Sequence, residues 1–557
     1  MAINKKIRLY DTTLRDGCQS EDVNLTLADK LSIAEKLDEL GIDYIEGGWP
    51  GSNERDAAFF DAVRKLKLRH SKIAAFGSTR RAGITAEQDR NLDLILRAET
   101  PVATVVGKTW DLHVREALRI TNEDNLEILH DTITYLKKNV DEVILDAEHF
   151  FDGYAANSNF AINCLKAASD AGADLICLCD TNGGRLPSEI EAGVKAAASS
   201  VSCAIGIHCH NDSEVAVANT LAGVRAGASQ VQGTINGFGE RCGNANLVSI
   251  IANLQLKLGY ECLPAEKLAK LSEVSKLVYE LANITPNPRQ PYVGRSAFAH
   301  KGGLHVSAIQ RNVRTYEHID PSLVGNDRRV LLSELAGKAN IIFKAREFGI
   351  EITDDNPKIG PLLEELKRLE GEGYAYDGAD ASFELVMLRA LGLEKEHFKF
   401  VSFRVFDDKW LEGEPPFSEA VVVIEGPDGR RTRSSAIGNG PVNALDTTLR
   451  KALVPYFPDL GSMQLVDYKV RVLDNGAGTA ARVRVLIEST DGELRWGTVG
   501  VSDNVVEASW QALMDSVEYR LHRLGAKPKV AAGIKGGEGA RTKTATGEDQ
   551  TAKRARA

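Results

Sequence analysis

The sequence lacks the features that mark membrane, secreted and nucleic-acid-binding proteins. Its 557 residues contain no run of eighteen apolar residues, so we expect no transmembrane helix. The beginning of the chain has no apolar segment of the secretory type, and its eight cysteines form no Cys-x-x-Cys pair. The net charge of −10 offers no basic surface for nucleic acid or for an acidic membrane. We therefore expect a cytoplasmic protein with free thiols.

The first 262 residues repeat one pattern, in which a short β-rich run is followed by an amphipathic stretch. One such stretch has Leu31, Ala34, Leu37 and Leu40 at helical spacing, and Gly41 is predicted to end it. The spacing predicts a closed (β/α)8 barrel. An open doubly wound sheet is the alternative, although it more usually has fewer strands. The β-rich runs begin at residues 7, 44, 72, 101, 141, 174, 204 and 230.

The rest of the chain, which is too long for one hydrophobic core, divides into three further parts. Residues 263–395 are predicted to be a mostly helical connector, interrupted by a proline-rich loop at 284–305 whose length is typical of functional loops. Residues 396–525 carry an internal repeat of strand, Asp-Gly turn, strand, glycine turn and helix. This repeat predicts an α+β domain with a binding or dimerising role. Residues 526–557 are predicted to be disordered.

Two histidines stand two residues apart at the end of the seventh predicted strand. Alternate side chains of a strand share a face, so His208 and His210 point the same way. In a barrel the carboxyl ends of the strands carry the active site. Six of the eight predicted strands end in charged or polar residues, which include Arg15 and Asp16 after the first, Asp146 and Glu148 after the fifth, and Thr181 after the sixth. We therefore predict an active site at this end.

The residue types in this cluster favour a divalent metal. One aspartate, Asp16, with two histidines and one amide oxygen leaves open positions for a Lewis acid such as Mg²⁺ or Mn²⁺, with Zn²⁺ or Co²⁺ as alternatives. A structural zinc site would be closed by thiolates instead. Arg15 beside the metal could stabilise a developing alkoxide or enolate, and Glu148 is a candidate base or orienting group.

Three stretches of the sequence resemble a known family. DTTLRDG (11–17), HCHND (208–212) and GFGERCGNANL (237–247) are similar to the 2-isopropylmalate, homocitrate and citramalate synthases, a family within the metal-dependent barrel group that includes 3-hydroxy-3-methylglutaryl-CoA lyase. The resemblance covers nearly the whole chain. IEGGWPGSNERD (45–56), GKTWDLHV (107–114), DAEHFFDGY (146–154) and TYEHIDPSLVGN (315–326) look most similar to the long-form citramalate synthases. Cys18 and Glu214 replace the glutamate and glycine of many relatives, which bears on the choice of oxo acid.

The resemblance implies the site residues and their roles. The metal ligands would be Asp16, His208 and His210, with Asn244 as a further or water-bridged ligand. Arg15 and Thr181 would hold the 2-oxo acid, and Glu148 would orient substrate or water. In the connector, His305 would transfer a proton, and Tyr316 is similar to a tyrosine near the site in relatives.

The resemblance also implies the reaction, a condensation of acetyl-CoA with pyruvate that gives citramalate and CoA, early in a threonine-independent route to isoleucine. It implies a homodimer whose C-terminal domain binds an amino-acid effector, with isoleucine as the first candidate. The turns at 438–440 and 500–504, each before a predicted helix, could donate backbone hydrogen bonds to the carboxylate of the effector, or could be turns and helix caps only.

Four alternatives remain open. The same chemistry could act on 2-oxoisovalerate or 2-oxoglutarate, as in 2-isopropylmalate or homocitrate synthases. A carbon–carbon lyase is disfavoured by the C-terminal repeat. A biotin-dependent carboxyltransferase would need a modified lysine on a barrel strand, whereas the one candidate, Lys108, is expected to be an ordinary cation at the mouth. A non-catalytic sensor is disfavoured by the intact set of charged residues and histidines.

Overall fold

The structure is a computed structural model that describes residues 6–331, 337–353, 355–409, 412–413, 416–473, 481–526 and 528. The predicted disorder of residues 526–557 concerns a segment that, apart from Ala526 and Pro528, lies outside the described residues. The chain forms two units. The first contains the described residues up to His300 together with Ser307–Val330, and the second contains Lys301–Val306 together with those from Leu331 onward.

Eight parallel strands close into a barrel in the order of the sequence, and the first strand pairs with the eighth. The barrel confirms the predicted (β/α)8 fold and excludes the open sheet, because a closed sheet has no edge strand. The strands are β1 Arg8–Asp11, β2 Tyr44–Gly48, β3 Lys72–Ser78, β4 Val102–Lys108, β5 Glu142–Glu148, β6 Leu175–Asp180, β7 Ala204–Cys209 and β8 Gln230–Gly233.

Helices cover the outside of this barrel, and the first of them shows why the sequence pattern identifies it. The Thr26 hydroxyl caps it by accepting a hydrogen bond from the Asp29 amide, and Gly41 ends it with a φ of 100°. Its apolar side chains Ile33 and Leu37 are fully buried. The helices are α1 Leu27–Leu40, α2 Glu54–Val63, α3 Arg90–Arg97, α4 Asp111–His113, α5 Asn122–Lys137, α6 Phe150–Ala156, α7 Ser158–Asp170, α8 Pro187–Ser200, α9 Ala216–Ala226 and α10 Leu247–Leu256.

Strand β1 is shorter than its sequence predicts. The run 7–15 predicts a strand that continues to Arg15, but strand pairing stops at Asp11. The Asp11 carboxylate accepts hydrogen bonds from the Thr13 amide at 2.9 Å and from the Thr13 hydroxyl at 2.8 Å, which turns the chain. Arg15 and Asp16 therefore come from a turn that leads into a short 3₁₀ helix at Gly17–Gln19, not from the end of the strand.

The hydrophobic core lies mainly between the barrel strands and their helices. Inside the barrel, a separate small apolar cluster contains residues at or near the beginning of several strands, among them Tyr44, Val102 and Leu175. This layer fills the amino-terminal part of the barrel. The polar side chains described below are left at the opposite, carboxyl end, where barrel enzymes hold their active sites.

The segment after the barrel contains short elements. In the first unit, two helices are followed by a two-stranded parallel sheet. No helix among the described residues is both long and apolar enough to cross a membrane. The elements are α11 Ala265–Leu268, α12 Leu271–Leu281, β9 Ala299–His300, α13 Gly303–Arg311 and β10 Arg329–Val330.

The second unit contains the predicted internal repeat. Each copy forms an antiparallel sheet followed by a helix, and each sheet has a third strand that precedes the two strands of the repeat. The sequence pattern missed these leading strands because most of their side chains are exposed rather than alternately buried. The elements are α14 Lys338–Glu347, α15 Ile359–Gly371, α16 Asp380–Leu391, β11 Lys399–Asp408, β12 Phe417–Glu425, β13 Arg431–Gly438, α17 Pro441–Leu453, β14 Gln464–Val472, β15 Val483–Thr490, β16 Arg495–Ser502 and α18 Val505–Arg523.

Candidate active site

The turn after β1 and the end of β7 bring three candidate metal ligands together. Asp16 Oδ2 lies 3.6 Å from His208 Nε2 and 3.9 Å from His210 Nε2, and the two Nε2 atoms are 3.3 Å apart. All three side chains are more than nine-tenths buried. The i and i+2 spacing thus places the two imidazoles on one face, and one carboxylate oxygen faces both of them.

The charges of these groups suit cation binding. Burial and the neighbouring His210 lower the pKa of His208 to about 3, so that the imidazole is neutral near pH 7 and keeps a lone pair. Burial acts to raise the pKa of Asp16, but the charge of the Arg15 guanidinium is the main opposing effect, and the net result is a lowered pKa. A carboxylate and two neutral imidazoles are the protonation states in which these residues bind metals.

Asn244 lies next to His210, one of the candidate ligands. Its backbone pairs with that of His210, and its Nδ2 donates a hydrogen bond to the Phe238 carbonyl at 3.3 Å. Its Oδ1 is buried and has no hydrogen-bond partner among the described residues. A buried acceptor without a partner is costly unless a ligand satisfies it. The donor set of one carboxylate, two imidazoles and one amide oxygen therefore fits a divalent cation.

Arg15 is held rigidly beside the ligand cluster. Its Nε donates to Glu46 Oε2 at 2.6 Å, its Nη1 lies 3.5 Å from Asp16 Oδ2, and its guanidinium carbon lies 4.0 Å from the centre of the Phe76 ring. Burial acts to lower the pKa of Arg15, but the carboxylates of Glu46 and Asp16 outweigh this effect and raise it. The structure thus fixes a permanent positive charge next to the candidate metal site.

The candidate site is a cavity of about 230 Å³. At its wall, Glu148 forms an ion pair with Lys108 Nζ. The Thr181 Oγ1 accepts a hydrogen bond from the His149 amide at 2.9 Å, which leaves the hydroxyl proton for another acceptor. The predicted site residues that line the cavity are Arg15, Asp16, Glu148, Thr181, His208 and His210.

Three predicted site residues, all in the described part of the chain, do not line this cavity. Asn244 is buried and pairs through its backbone with His210, but it is not a lining residue. Tyr316 belongs to the unit that contains the barrel but is exposed and does not line the cavity. His305 is exposed on α13 and belongs to the second unit. The roles expected of these three residues stay predictions.

The structure adds residues to which the sequence analysis gave no role. Gln232 Oε1 lies 3.2 Å from His208 Nδ1, and Gln232 Nε2 donates to Asp146 Oδ1 at 2.9 Å. Burial and the nearby Glu46 raise the pKa of Asp146 to about 8, and a neutral Asp146 still offers its carbonyl oxygen as the acceptor. The signal that could have identified Gln232 is a buried strand, QVQG, with glutamine at alternate positions.

Models of known families match the chain in three consecutive stretches. The HMGL-like model matches residues 6–278, which contain the barrel. The model of the homocitrate synthase post-HMGL domain-like region matches residues 292–372. The model of the LeuA allosteric (dimerisation) domain matches residues 377–521.

Curated relatives are similar to the chain over almost its whole length. The (R)-citramalate synthase of Geobacter sulfurreducens is 57% identical over 93% of this chain and 98% of that protein. The chain belongs to the citramalate synthase family. Further family members, the (R)-citramalate synthases of Aquifex aeolicus and Synechocystis, are 53% and 51% identical over 93% of this chain and over 98% and 96% of their own lengths. Membership in this family confirms the resemblance read from the motifs.

The ligand geometry predicts that the protein binds Mn²⁺ through Asp16. The Asp16→Asn variant keeps the size of the side chain but removes its charge. We expect Mn²⁺ affinity, measured by isothermal titration calorimetry, to fall more than about 100-fold, since losing an outer hydrogen-bond partner of a ligand already costs about 10–100-fold. The control is Asp174→Asn at the opposite end of the barrel, which should bind as wild type. Equal binding by the two variants would remove Asp16 from the ligand set.

Proposed function

We propose that the protein catalyses the condensation of acetyl-CoA with pyruvate and water to give citramalate and CoA. The new carbon–carbon bond joins the acetyl methyl carbon to the keto carbon, and water cleaves the thioester. The observation that carries this proposal is the fixed guanidinium of Arg15 beside the Asp16–His208–His210 cluster in a small cavity. The citramalate synthase family supplies the identity of the reaction.

A divalent cation fits the ligand cluster. Asp16, His208 and His210 would hold it, with Asn244 as a further or water-bridged ligand. Mg²⁺ or Mn²⁺ suits this mixed set, and Zn²⁺ or Co²⁺ is the alternative. When bound, the cation would supply Lewis-acid polarisation of the keto carbonyl.

Arg15 and Thr181 bind and orient the 2-oxo acid. The guanidinium stabilises the negative charge that develops on the keto oxygen as the carbon–carbon bond forms, and its contacts with Glu46 and Phe76 hold it ready before the reaction. The Thr181 hydroxyl oxygen already accepts a hydrogen bond from the His149 amide, and the hydroxyl proton is donated to the substrate carboxylate.

Glu148 orients the acetyl group or the hydrolytic water. Its ion pair with Lys108 holds the carboxylate at the cavity wall. Removal of the methyl proton belongs to His305, assisted by Tyr316. This assignment rests on the sequence resemblance.

The cavity of about 230 Å³ suits a small molecule, and the similarity of the chain to citramalate synthases favours pyruvate among the candidate oxo acids. We expect CoA release, followed with a thiol reagent, to be fastest with pyruvate. Comparison with 2-oxobutyrate, 2-oxoisovalerate and 2-oxoglutarate should show about 10–200-fold discrimination in kcat/KM per methylene. EDTA should abolish release and excess Mn²⁺ should restore it. Faster release with 2-oxoisovalerate or 2-oxoglutarate would reject pyruvate, and no release with any oxo acid would reject the reaction.

Variants of Arg15 and His305 should affect different properties of the enzyme. We expect Arg15→Lys to lose about 10²–10³-fold in kcat, the usual cost of one oxyanion donor, while retaining Mn²⁺ binding.

We expect His305→Gln to lose about 10²–10⁴-fold in kcat with little change in KM for pyruvate. His318→Gln is the control for the connector, since His318 is an exposed histidine stacked on Phe298. Wild-type turnover by His305→Gln would show that another group removes the proton.

We propose that the second unit binds isoleucine at the start of α17. Helix α18 is capped by its own Asn504, whose Oδ1 accepts from the amides of Val506 and Glu507, so its first donors are occupied. Helix α17 begins after Gly440 with no side-chain cap, which leaves first-turn amides for a carboxylate. Of the two turns that the sequence analysis offered, the one at 438–440 is therefore the better site.

A substitution at this turn tests the effector site. Gly440 has an extended φ of 170°, and a Cβ atom there meets nothing within 4 Å, so the fold tolerates Gly440→Leu. We expect this variant to need at least about tenfold more isoleucine for half-inhibition, which corresponds to about 1.4 kcal/mol of lost binding. The rate is compared with the uninhibited rate of the same variant. Ser502→Leu at the capped turn should respond as wild type, and unchanged inhibition of Gly440→Leu would place the effector elsewhere.

We propose a homodimer formed through the C-terminal unit. The outer strands β11 and β14 expose apolar side chains, a feature that marks protein interfaces. They are Phe400, Val401 and Phe406 on β11, and Val466, Val470 and Val472 on β14.

All eight cysteines lie in the described residues and are free, which supports the proposal of a reducing, cytoplasmic location.

A further inference from the structure

We propose that Gln232 and Asp146 form a hydrogen-bonded relay behind the metal site, which keeps the proton of His208 on Nδ1 and leaves Nε2 free to bind the cation. Gln232 and Asp146 are then positioning residues, since they act through His208 and do not touch the cation. The relay rests on the proposed metal-dependent function, but it concerns how the cation is bound and not the turnover of substrate.

The relay crosses the interior of the barrel. Gln232 on β8 is the register partner of His208 on β7, and its Oε1 lies 3.2 Å from His208 Nδ1. Its Nε2 donates at 2.9 Å to Asp146 Oδ1, which belongs to β5 on another side of the barrel. All three side chains are more than nine-tenths buried. Because the three groups are buried and in direct contact, the position of each proton depends on the next residue in the relay.

The order of donors and acceptors decides the tautomer of His208. The amide nitrogen of Gln232 faces Asp146 Oδ1, an oxygen that accepts a hydrogen bond whether or not the carboxyl group is protonated, and the amide oxygen faces the imidazole. The oxygen in turn needs a donor, which requires a proton on His208 Nδ1. A neutral imidazole carries one such proton, so Nε2 keeps its lone pair on the side of Asp16 and His210. With the amide reversed, the proton would move to Nε2 and oppose the cation.

The other histidine of the pair shows that this support is not a general property of the strand. His210 Nδ1 is buried and has no hydrogen-bond partner among the described residues. Within the described part of the chain, the tautomer of His208 is therefore fixed by a hydrogen bond to its Nδ1 atom, whereas that of His210 is not. Loss of the relay should weaken the cation site without removing any ligand.

The first test removes the hydrogen bonds of Gln232 while keeping its shape. In the full-length protein, we expect Gln232→Met to raise the dissociation constant for Mn²⁺ by about 10–100-fold, the usual cost of losing an outer partner of a metal ligand. The control is Gln230→Met, two residues earlier on the same strand, fully buried and without hydrogen-bond partners for its amide among the described residues. This control should bind Mn²⁺ as wild type. The visible spectrum of bound Co²⁺ reports the ligand field independently and should change only in Gln232→Met.

The second test exchanges the donor and the acceptor. Gln232→Glu alone places two carboxyl groups side by side, and the proton that they share can lie on the new side chain as well as on Asp146. The acceptor for His208 Nδ1 is then no longer fixed, so Mn²⁺ binding should weaken. Combined with Asp146→Asn, the new carboxylate accepts from both His208 Nδ1 and the new amide, so the His208 tautomer is restored. We expect the double variant to bind Mn²⁺ more tightly than Gln232→Glu alone and to recover the wild-type Co²⁺ spectrum. This rescue also covers the case in which Gln232→Met does not fold.

The outcomes separate the relay from the proposed function. No Mn²⁺ binding by the wild-type protein would reject the metal-dependent function itself. Wild-type binding with an unchanged constant in Gln232→Met would overturn the relay and leave the function standing. Equal weakening in Gln232→Met and Gln230→Met would assign the effect to packing, and a double variant no better than Gln232→Glu would exclude control of the tautomer; either result would overturn the relay.

Discussion

The buried ion pair between Arg15 and Glu46 is the interaction on which the other charged groups at the carboxyl end of the barrel depend. Glu46 is fully buried, and its other carboxylate oxygen accepts from the hydroxyl of Tyr10, which is bonded to Thr104. Without the guanidinium, Glu46 and Asp16 would be uncompensated charges inside the barrel, and breaking such a buried pair costs about 3–5 kcal/mol. The charge that we propose for the chemistry is thus also needed for the fold, which is why the Arg15→Lys variant is read by turnover and by metal binding together.

Local sequence rules were sufficient where one residue decides the geometry. The i and i+2 spacing of His208 and His210 fixed their common face once the strand was recognised, and the helix that Gly41 ends followed directly from its pattern. The same rules failed after Asp11, where a side-chain hydrogen bond to Thr13 stops the strand. Asx turns compete with strand pairing over two residues, so a propensity summed over a longer run does not detect them.

Side-chain contacts between strands that are distant in the sequence could not be predicted from the sequence, for a different reason. Gln232 meets His208 because β7 and β8 are neighbours in register, and it meets Asp146 because the barrel closes. Neither relation is encoded near Gln232 itself. Lys108 illustrates the same limit, because it was expected at the mouth as an ordinary cation, whereas its partner Glu148 becomes visible only when β4 and β5 are aligned. Strand order was predictable here, and register was not.

The two histidines show how one sequence motif can contain two different environments. Both belong to the same strand end and face the same carboxylate. His208 has an amide behind it that fixes its tautomer, whereas His210 Nδ1 has no such partner among the described residues. An imidazole whose tautomer is already fixed loses little conformational freedom when it binds a metal. An imidazole whose tautomer is not fixed must first adopt the correct tautomer and orientation, which costs free energy. In the proposed metal site, His208 would therefore be the ligand whose orientation the protein fixes, and His210 the ligand that adjusts to the cation.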